Sequence, residues 1–476
     1  KLMRLLIFIC IFLFTGQLGA QTEYIIIDSI FVEGNKKTKD RIILRELEFK
    51  TGDTIPVQQL GNILEKSEQL VKNTSLFNQV LISFKNWSGQ TGRVKILIQV
   101  EEAWYLYPIP LFELADRNFN VWWGEKKKSI QCINYYLEFS LLNYGLEFAH
   151  LNVTGQNDKL KLKFNAGYKN QYSLKYSLPF INRKQTIGLQ WNFSFSRKRE
   201  INYATIDNKQ AFYRDGVSFI QQHFKSEMGL TYRPGLRLYH NLLFNYQQIS
   251  IGDTVAQYLN PDYLLQGRKL QRFFSISYFF SYDFRDIRPY PLNGNYFVFT
   301  LEKDGLGLFN DRNGLDITAR YDHYISFSPV VSTALSIKGK VSLIRQRQPY
   351  NDNRALGFGE DFLRGYEYYI VDGLDMVYLK ANLRFQLLKK EINFGKWVFI
   401  PQFRRMPIKL YLSLNNNIGY ANDPFDKENN FLNNRLLWGG GLGLDFVLYY
   451  DKVLRIEYSF NHLLEKGLFL HLNLNI

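Results

Sequence analysis

From residue 103 to residue 476 apolar and polar side chains alternate one by one, in segments of about ten residues. The last segment is the cleanest: Leu468, Leu470, Leu472, Leu474 and Ile476 share one face, and Phe469, His471, Asn473 and Asn475 the other. Before it, Leu454, Ile456, Tyr458 and Phe460 stand opposite Arg455, Glu457 and Ser459. A period of two is that of a β-strand, and about ten residues is the length a tilted strand needs to cross a bilayer. We expect about sixteen such strands, the first near 110–124 and the last at 466–476; a closed antiparallel barrel of this kind requires an even number. A soluble sandwich would alternate too. Two features favour the membrane: a polar face such as Tyr378, Lys380, Asn382 and Arg384 suits a wet lumen, and aromatics gather at strand ends, as in Tyr105, Trp122-Trp123 and Tyr449-Tyr450. The expected fold is mostly β, a 16-stranded antiparallel transmembrane β-barrel preceded by a small α+β domain.

That small domain occupies residues 21–102. Tyr24 to Val32 is an apolar strand ending at the turn Glu33-Gly34-Asn35. Thr38 precedes a short helix carrying Ile42, Ile43 and Leu47, and Leu60, Ile63, Leu64 and Val71 fall on one face of a second helix. Val80, Ile82 and Phe84, then Val94, Ile96, Ile98 and Val100, mark two alternating strands around a turn at Trp87 to Gly92. Residues 1–20 are expected to be a signal peptide. Lys1 and Arg4 precede the apolar run Leu5 to Phe14, and Leu18-Gly19-Ala20 closes on small residues.

Composition narrows the classes. Of the 476 residues 46% are hydrophobic, which rules out disorder as the main state. The aromatic share of 16% is high, while a mean hydropathy of −0.24 is too low for a bundle of spanning helices. With Cys10 inside the signal peptide, Cys132 is left alone, so a disulfide scaffold is excluded. The net charge of +15 is spread along the chain, as in Lys126-Lys127-Lys128 and Lys159, Lys161 and Lys163, and fits a basic lumen or anionic headgroups better than nucleic acid. The six histidines lack metal-ligand spacing, and neither a nucleophile constellation nor a phosphate loop is present. We expect no enzyme, no metal and no cofactor.

The segment 21–102 resembles a polypeptide-transport-associated (POTRA) domain. The resemblance rests on Val32-Glu33-Gly34-Asn35, Thr38, Ile42, Gly52-Asp53 and the run Asn73-Thr74-Ser75-Leu76-Phe77-Asn78-Gln79-Val80. Within RALGFGEDFLRGYEYY at 354–369, Leu363-Arg364-Gly365-Tyr366 resembles the [V/L/I]RG[F/Y] signature of the BamA/TamA outer-membrane assembly and transport superfamily. Asp283, Arg285 and Asp286, followed by Pro291 and Gly294, resemble a second motif at a mid-barrel hairpin, and Asn152-Val153-Thr154-Gly155 the family's early turn.

The resemblance implies that the longest loop folds back into the barrel with its Arg held in the lumen by acidic residues of the following strands. The matching positions here are neutral, Asn382 and Asn417; four partners for Arg364 are therefore expected, the inward carboxylates Asp445 and Glu457 given by strand parity, or Asn382 and Asn417, whose side-chain carbonyls would accept bonds in a wet lumen. For the whole chain the resemblance implies an integral outer-membrane protein with a periplasmic POTRA domain. Its partners would be outer-membrane lipid, client polypeptides, and periplasmic or lipoprotein accessory subunits. The expected role is insertion of outer-membrane proteins, through strand addition and a weak seam between first and last strands. Secretion of one dedicated partner is the alternative, and a passive porin or receptor barrel a third class.

Overall fold

The computed structural model describes residues 24–85, 92–114, 142–167, 169–216, 218–309, 312–398, 404–425, 430–448 and 453–472. The expected signal peptide, the turn at 86–91, Trp122-Trp123, Cys132, Tyr449-Tyr450 and Asn473 to Ile476 lie outside them. The chain divides into two compact units, one built from residues up to Lys36 and Ile43–Glu102, the other from Ala103 onward with Lys37–Ile42.

In the first unit the order is β1 (Tyr24–Glu33), α1 (Asp40–Leu44), β2 (Thr54–Pro56), α2 (Val57–Lys72), β3 (Phe77–Lys85) and β4 (Arg93–Glu102). The sheet order is β2-β1-β4-β3. β1 and β4 pair in parallel at its centre, so a crossover must separate them in sequence, and the two helices supply it. The alternation of Val94, Ile96, Ile98 and Val100 buries all four, and Ile27, Leu60, Leu64 and Val71 complete the core. The short strand β2 is absent from the sequence expectation; three residues are too few for a visible period.

The second unit is one sixteen-stranded sheet. Its first strands are β5 (Leu106–Leu114), β6 (Leu142–His150), β7 (Lys159–Gly167), β8 (Lys169–Leu178) and β9 (Ile187–Lys198). An outlying hairpin follows, β10 (Glu200–Ile206) with β11 (Lys209–Arg214). The sheet resumes with β12 (Gln221–Tyr232), β13 (Leu238–Ile251), β14 (Leu270–Asp283), β15 (Gly294–Asp304), β16 (Gly314–Ser326) and β17 (Val331–Ser342). A long loop, 343–374, carries the short pair β18 (Arg354–Leu356) and β19 (Val371–Asp372). The last strands are β20 (Asp375–Asn393), β21 (Arg405–Asn422), β22 (Leu436–Val447), β23 (Val453–Asn461) and β24 (Lys466–Leu472). Every neighbouring pair is antiparallel, and among the described residues no ladder joins β5 to β24. The first strand begins earlier than expected, at Leu106 rather than near 110, and is described only to Leu114. The hairpin β10–β11 was not expected either. Its signal was the pair Asp207-Asn208, both at positive φ, as a two-residue hairpin turn demands.

The faces of this sheet are inverted relative to a soluble protein. Along β21, Ser413, Asn415 and Asn417 are buried while Leu412, Leu414 and Ile418 are exposed. Along β23, Arg455, Glu457, Ser459 and Asn461 are buried while Ile456, Tyr458 and Phe460 are exposed. An apolar outer band and a polar inner face are what a bilayer selects. The sheet also curls. The β10–β11 turn, the β14–β15 turn and strand β24 lie far apart in sheet order, yet the first and last both reach loop 343–374 and the second reaches β22. The polar face is therefore a lumen. Leu414→Arg, at 49% exposure, should cost about 2–4 kcal/mol in lipid and reduce heat-modifiable folded barrel, whereas Leu81→Arg, on an exposed position of β3, should leave barrel yield unchanged.

Candidate functional site

Loop 343–374 is long enough to fold back on itself, and glycine makes the reversal at its tip. Gly365 has φ +81°, and a Cβ there would meet the Phe460 carbonyl at 2.4 Å. The strands make room in turn. A Cβ on Gly439 would fall 1.9 Å from the Arg364 carbonyl, and one on Gly419 2.6 Å from Leu363. Glycine on the wall lets the loop backbone touch the sheet. Leu363 and Tyr366 then pack with Leu356, Tyr369, Met376, Tyr378, Ala421 and Leu437. The Tyr366 hydroxyl donates to the Trp438 carbonyl at 3.1 Å and bonds His462 Nδ1, and Asn461 Nδ2 donates to the Gly365 carbonyl at 2.7 Å.

Arg364 is 3% exposed and its Nη1 lies 3.3 Å from Glu457 Oε2. Its guanidinium sits 5.1 Å from the Phe362 ring, which stacks on His471 of β24. With its amide turned to satisfy both neighbours, Asn417 accepts the Arg364 backbone N–H at 3.1 Å. Of the four expected partners, Glu457 therefore meets the side chain and Asn417 the main chain.

The other two do not. Asn382 is buried on β20 without a hydrogen bond to Arg364. Asp445 belongs to Arg455, which donates to it through Nε at 2.5 Å and Nη2 at 2.6 Å. The cause is register: Asp445 faces Arg455 across the β22–β23 ladder, while Glu457 stands one inward position further along β23. Arg455 Nη1 also lies 3.8 Å from Glu457, so the four charges form a chain, Arg364–Glu457–Arg455–Asp445. Sequence parity had already placed Arg455 inward; counting back across the β22–β23 turn would have paired it with Asp445.

The mid-barrel motif joins the same chain. Arg285 donates to both Asp283 oxygens at 2.9 Å, and Asp286 accepts the backbone N–H of Ile287 and Leu292, which fixes the turn. Gly294 has φ +108°, where a Cβ would meet the Phe284 carbonyl. The turn so held sends Tyr290 inward. Its hydroxyl donates to Asp445 at 2.7 Å, and Arg384 donates to the Pro291 carbonyl at 2.9 Å. Two motifs some seventy residues apart thus meet on one carboxylate network.

Both carboxylates of this charge chain are paired with a guanidinium. Removing one member of a buried ion pair costs about 3–5 kcal/mol. Glu457→Gln should therefore release the loop tip and expose 354–369 to external protease. Asp445→Asn should strand Arg455 and lower barrel stability while leaving the Arg364 contact in place. Gly439→Val should expel the loop tip without any change of charge, giving the Glu457→Gln protease pattern.

The comparisons with known proteins agree with this architecture. An Omp85 superfamily domain matches residues 152–399, and a POTRA domain described as a surface antigen variable number repeat matches residues 25–103. No curated protein matches the chain significantly. Among solved structures, BamA from Haemophilus ducreyi lacking POTRA domains 1–3 is similar at 12% identity, with 94% of this chain and 83% of that chain covered and a TM-score of 0.52. CdiB from Escherichia coli is similar at 14% identity, covering 95% and 75%, with a TM-score of 0.55. These likenesses establish the fold. Barrels of this superfamily are outer-membrane proteins with periplasmic POTRA domains, and they act on client polypeptides. The chain, a transmembrane β-barrel preceded by a POTRA domain, belongs to the Omp85 superfamily.

Proposed function

We propose that the protein assists insertion of outer-membrane proteins, without catalysis or cofactor, by opening its wall between β5 and β24. One observation carries the reading: among the described residues these terminal strands share no ladder, so each offers backbone groups along an edge. An unpaired edge in lipid is costly, because no solvent satisfies it, and a client strand would satisfy it. The loop anchors support this, since they fall on the last strands. Tyr368 packs on Phe469, and Phe362 on His471, both of β24. The POTRA unit would present clients from the periplasm by strand addition, and accessory subunits would dock there. Secretion through the lumen is the second reading, favoured by the similarity to CdiB.

A cross-link separates the two. Cysteines scanned over Leu106–Leu114 and Lys466–Leu472, in a Cys132→Ser background, should yield at least one pair that oxidises. That closed form should lose assembly of outer-membrane barrels about tenfold and recover on reduction. Undiminished assembly with the cross-link quantitatively formed would reject lateral opening and leave passage through the lumen.

A further inference from the structure

The ladder of β20 with β21 outruns those on either side of it. β17 meets β20 as far as Val331 opposite Phe385, with one further bond from the Gln386 N–H to the Val330 carbonyl at 2.8 Å, and β22 meets β21 as far as Val447 opposite Lys409. Residues 390–393 and 405–408 run on beyond both, paired only with each other among the described residues. This two-stranded ribbon stands at the end of the barrel where β5 begins, because β20 and β21 are the twelfth and thirteenth strands of the sheet. A bulge at Leu387 interrupts the pairing, and the two faces of the ribbon differ. Stepping by two along β21 from the lipid-facing Leu414 and Leu412 reaches Leu410, Ile408 and Met406, which stand opposite Leu388, Lys390 and Ile392. Lys390 apart, that face is apolar, and Phe394 and Trp397 beyond its end are exposed. The other face carries Lys389, Glu391 and Arg405. Residues 386–411 hold six basic side chains and one acidic, so the hairpin is net basic whatever pairs form within it. The flanking turns add no net charge: 327–330 hold none, and 448–452 hold one Asp and one Lys.

We propose that this ribbon is an interfacial anchor that seats on anionic phospholipid of the periplasmic leaflet. Depth places it there. From Val377 to Lys390, β20 advances about 30 Å along the membrane normal, at a rise of about 3.4 Å per residue and a tilt of about 40°, and so passes the apolar band of about 25 Å. Lipid is also the surface its apolar face already adjoins, since that face continues the outward band of β20 and β21. An amphipathic element lies in the interface with its apolar side toward the acyl chains, while Lys and Arg stems reach the headgroups and aromatic rings sit between. The excess of positive charge selects anionic headgroups. An added peptide strand is the poorer fit. Pro407 takes a donor from β21, and Lys389, Lys390 and Glu391 line β20, the devices by which an edge refuses another strand. The proposal needs the barrel alone and is independent of the insertion reading.

The test is lipid contact, read by fluorescence quenching with the full chain in nanodiscs of mixed phosphatidylcholine and phosphatidylglycerol. Ile392→Cys, in a Cys132→Ser background, carries an environment-sensitive fluorophore. An equal small share of one lipid or the other bears a spin label just below its headgroup. Spin-labelled phosphatidylglycerol should quench about threefold more strongly than spin-labelled phosphatidylcholine, and the preference should fade at high salt. Lys389→Gln with Lys390→Gln and Arg405→Gln should bring the two lipids to parity while the barrel stays heat-modifiable. Parity with the native charges in place overturns the proposal, and so does a preference that the triple variant keeps in full. A fluorophore quenched by neither lipid also overturns it and leaves the apolar face to a protein partner. The composition comparison needs no charge variant, so a variant that fails to fold does not shield the proposal. None of these readouts involves the seam between β5 and β24, so the insertion reading stands or falls separately.

Discussion

The buried charge chain Arg364–Glu457–Arg455–Asp445 is the constraint on which the lumen's organisation depends. Each charge has left water, and a buried charge is tolerated only beside its opposite. The chain therefore cannot be assembled piecemeal. Arg364 arrives on a loop, Glu457 and Arg455 on β23, and Asp445 on β22; Tyr290 joins from the β14–β15 turn. Correct strand register and a seated loop are needed together, so the network ties folding of the wall to closure of the loop.

The glycines explain why the loop can come so close. Gly365, Gly419 and Gly439 remove side chains at three contacts where a methyl group would collide with backbone or with Leu363. Strand glycines ordinarily weaken a sheet. Here that cost is offset by burial of Leu363 and Tyr366 and by the bonds from Tyr366 and Asn461. A second tie acts through the β10–β11 turn. Asn208 Nδ2 donates to the Ile370 carbonyl and to Asn433 Oδ1, each at 3.0 Å, and Asn208 Oδ1 accepts from the Leu432 N–H at 2.8 Å. One side chain thus holds three loops together. This scaffold fixes a lumen wall of matched charge, Arg364 and Arg455 against Glu457 and Asp445.

Much of this was legible in the sequence because a membrane barrel writes its fold locally. Strand parity depends only on the next residue but one, so the inward set from Tyr378 to Arg384 and from Arg455 to Ser459 could be read directly, as could the strand rhythm. The two motifs were legible for a related reason: Gly365 and Gly294 are required by backbone geometry at one position each. Parity also placed Asp445, Glu457 and Arg455 in the lumen. It could not rank them as partners of Arg364, because both carboxylates satisfy the same rule.

Tertiary structure made that choice. The β22–β23 register sets Arg455 against Asp445 and leaves Glu457 to the loop, while the docking of Tyr290 completes the shell of Asp445. The role of Gly439 was hidden for the same reason, since a glycine in a strand shows what it permits only when the loop carbonyl opposite it is in place. The two-residue period of a strand assigns each residue to its face, and that period is written in the order of the residues. Which inward residues meet depends on register and loop return, which no local period encodes and which bring together groups as far apart as Arg364 and Glu457.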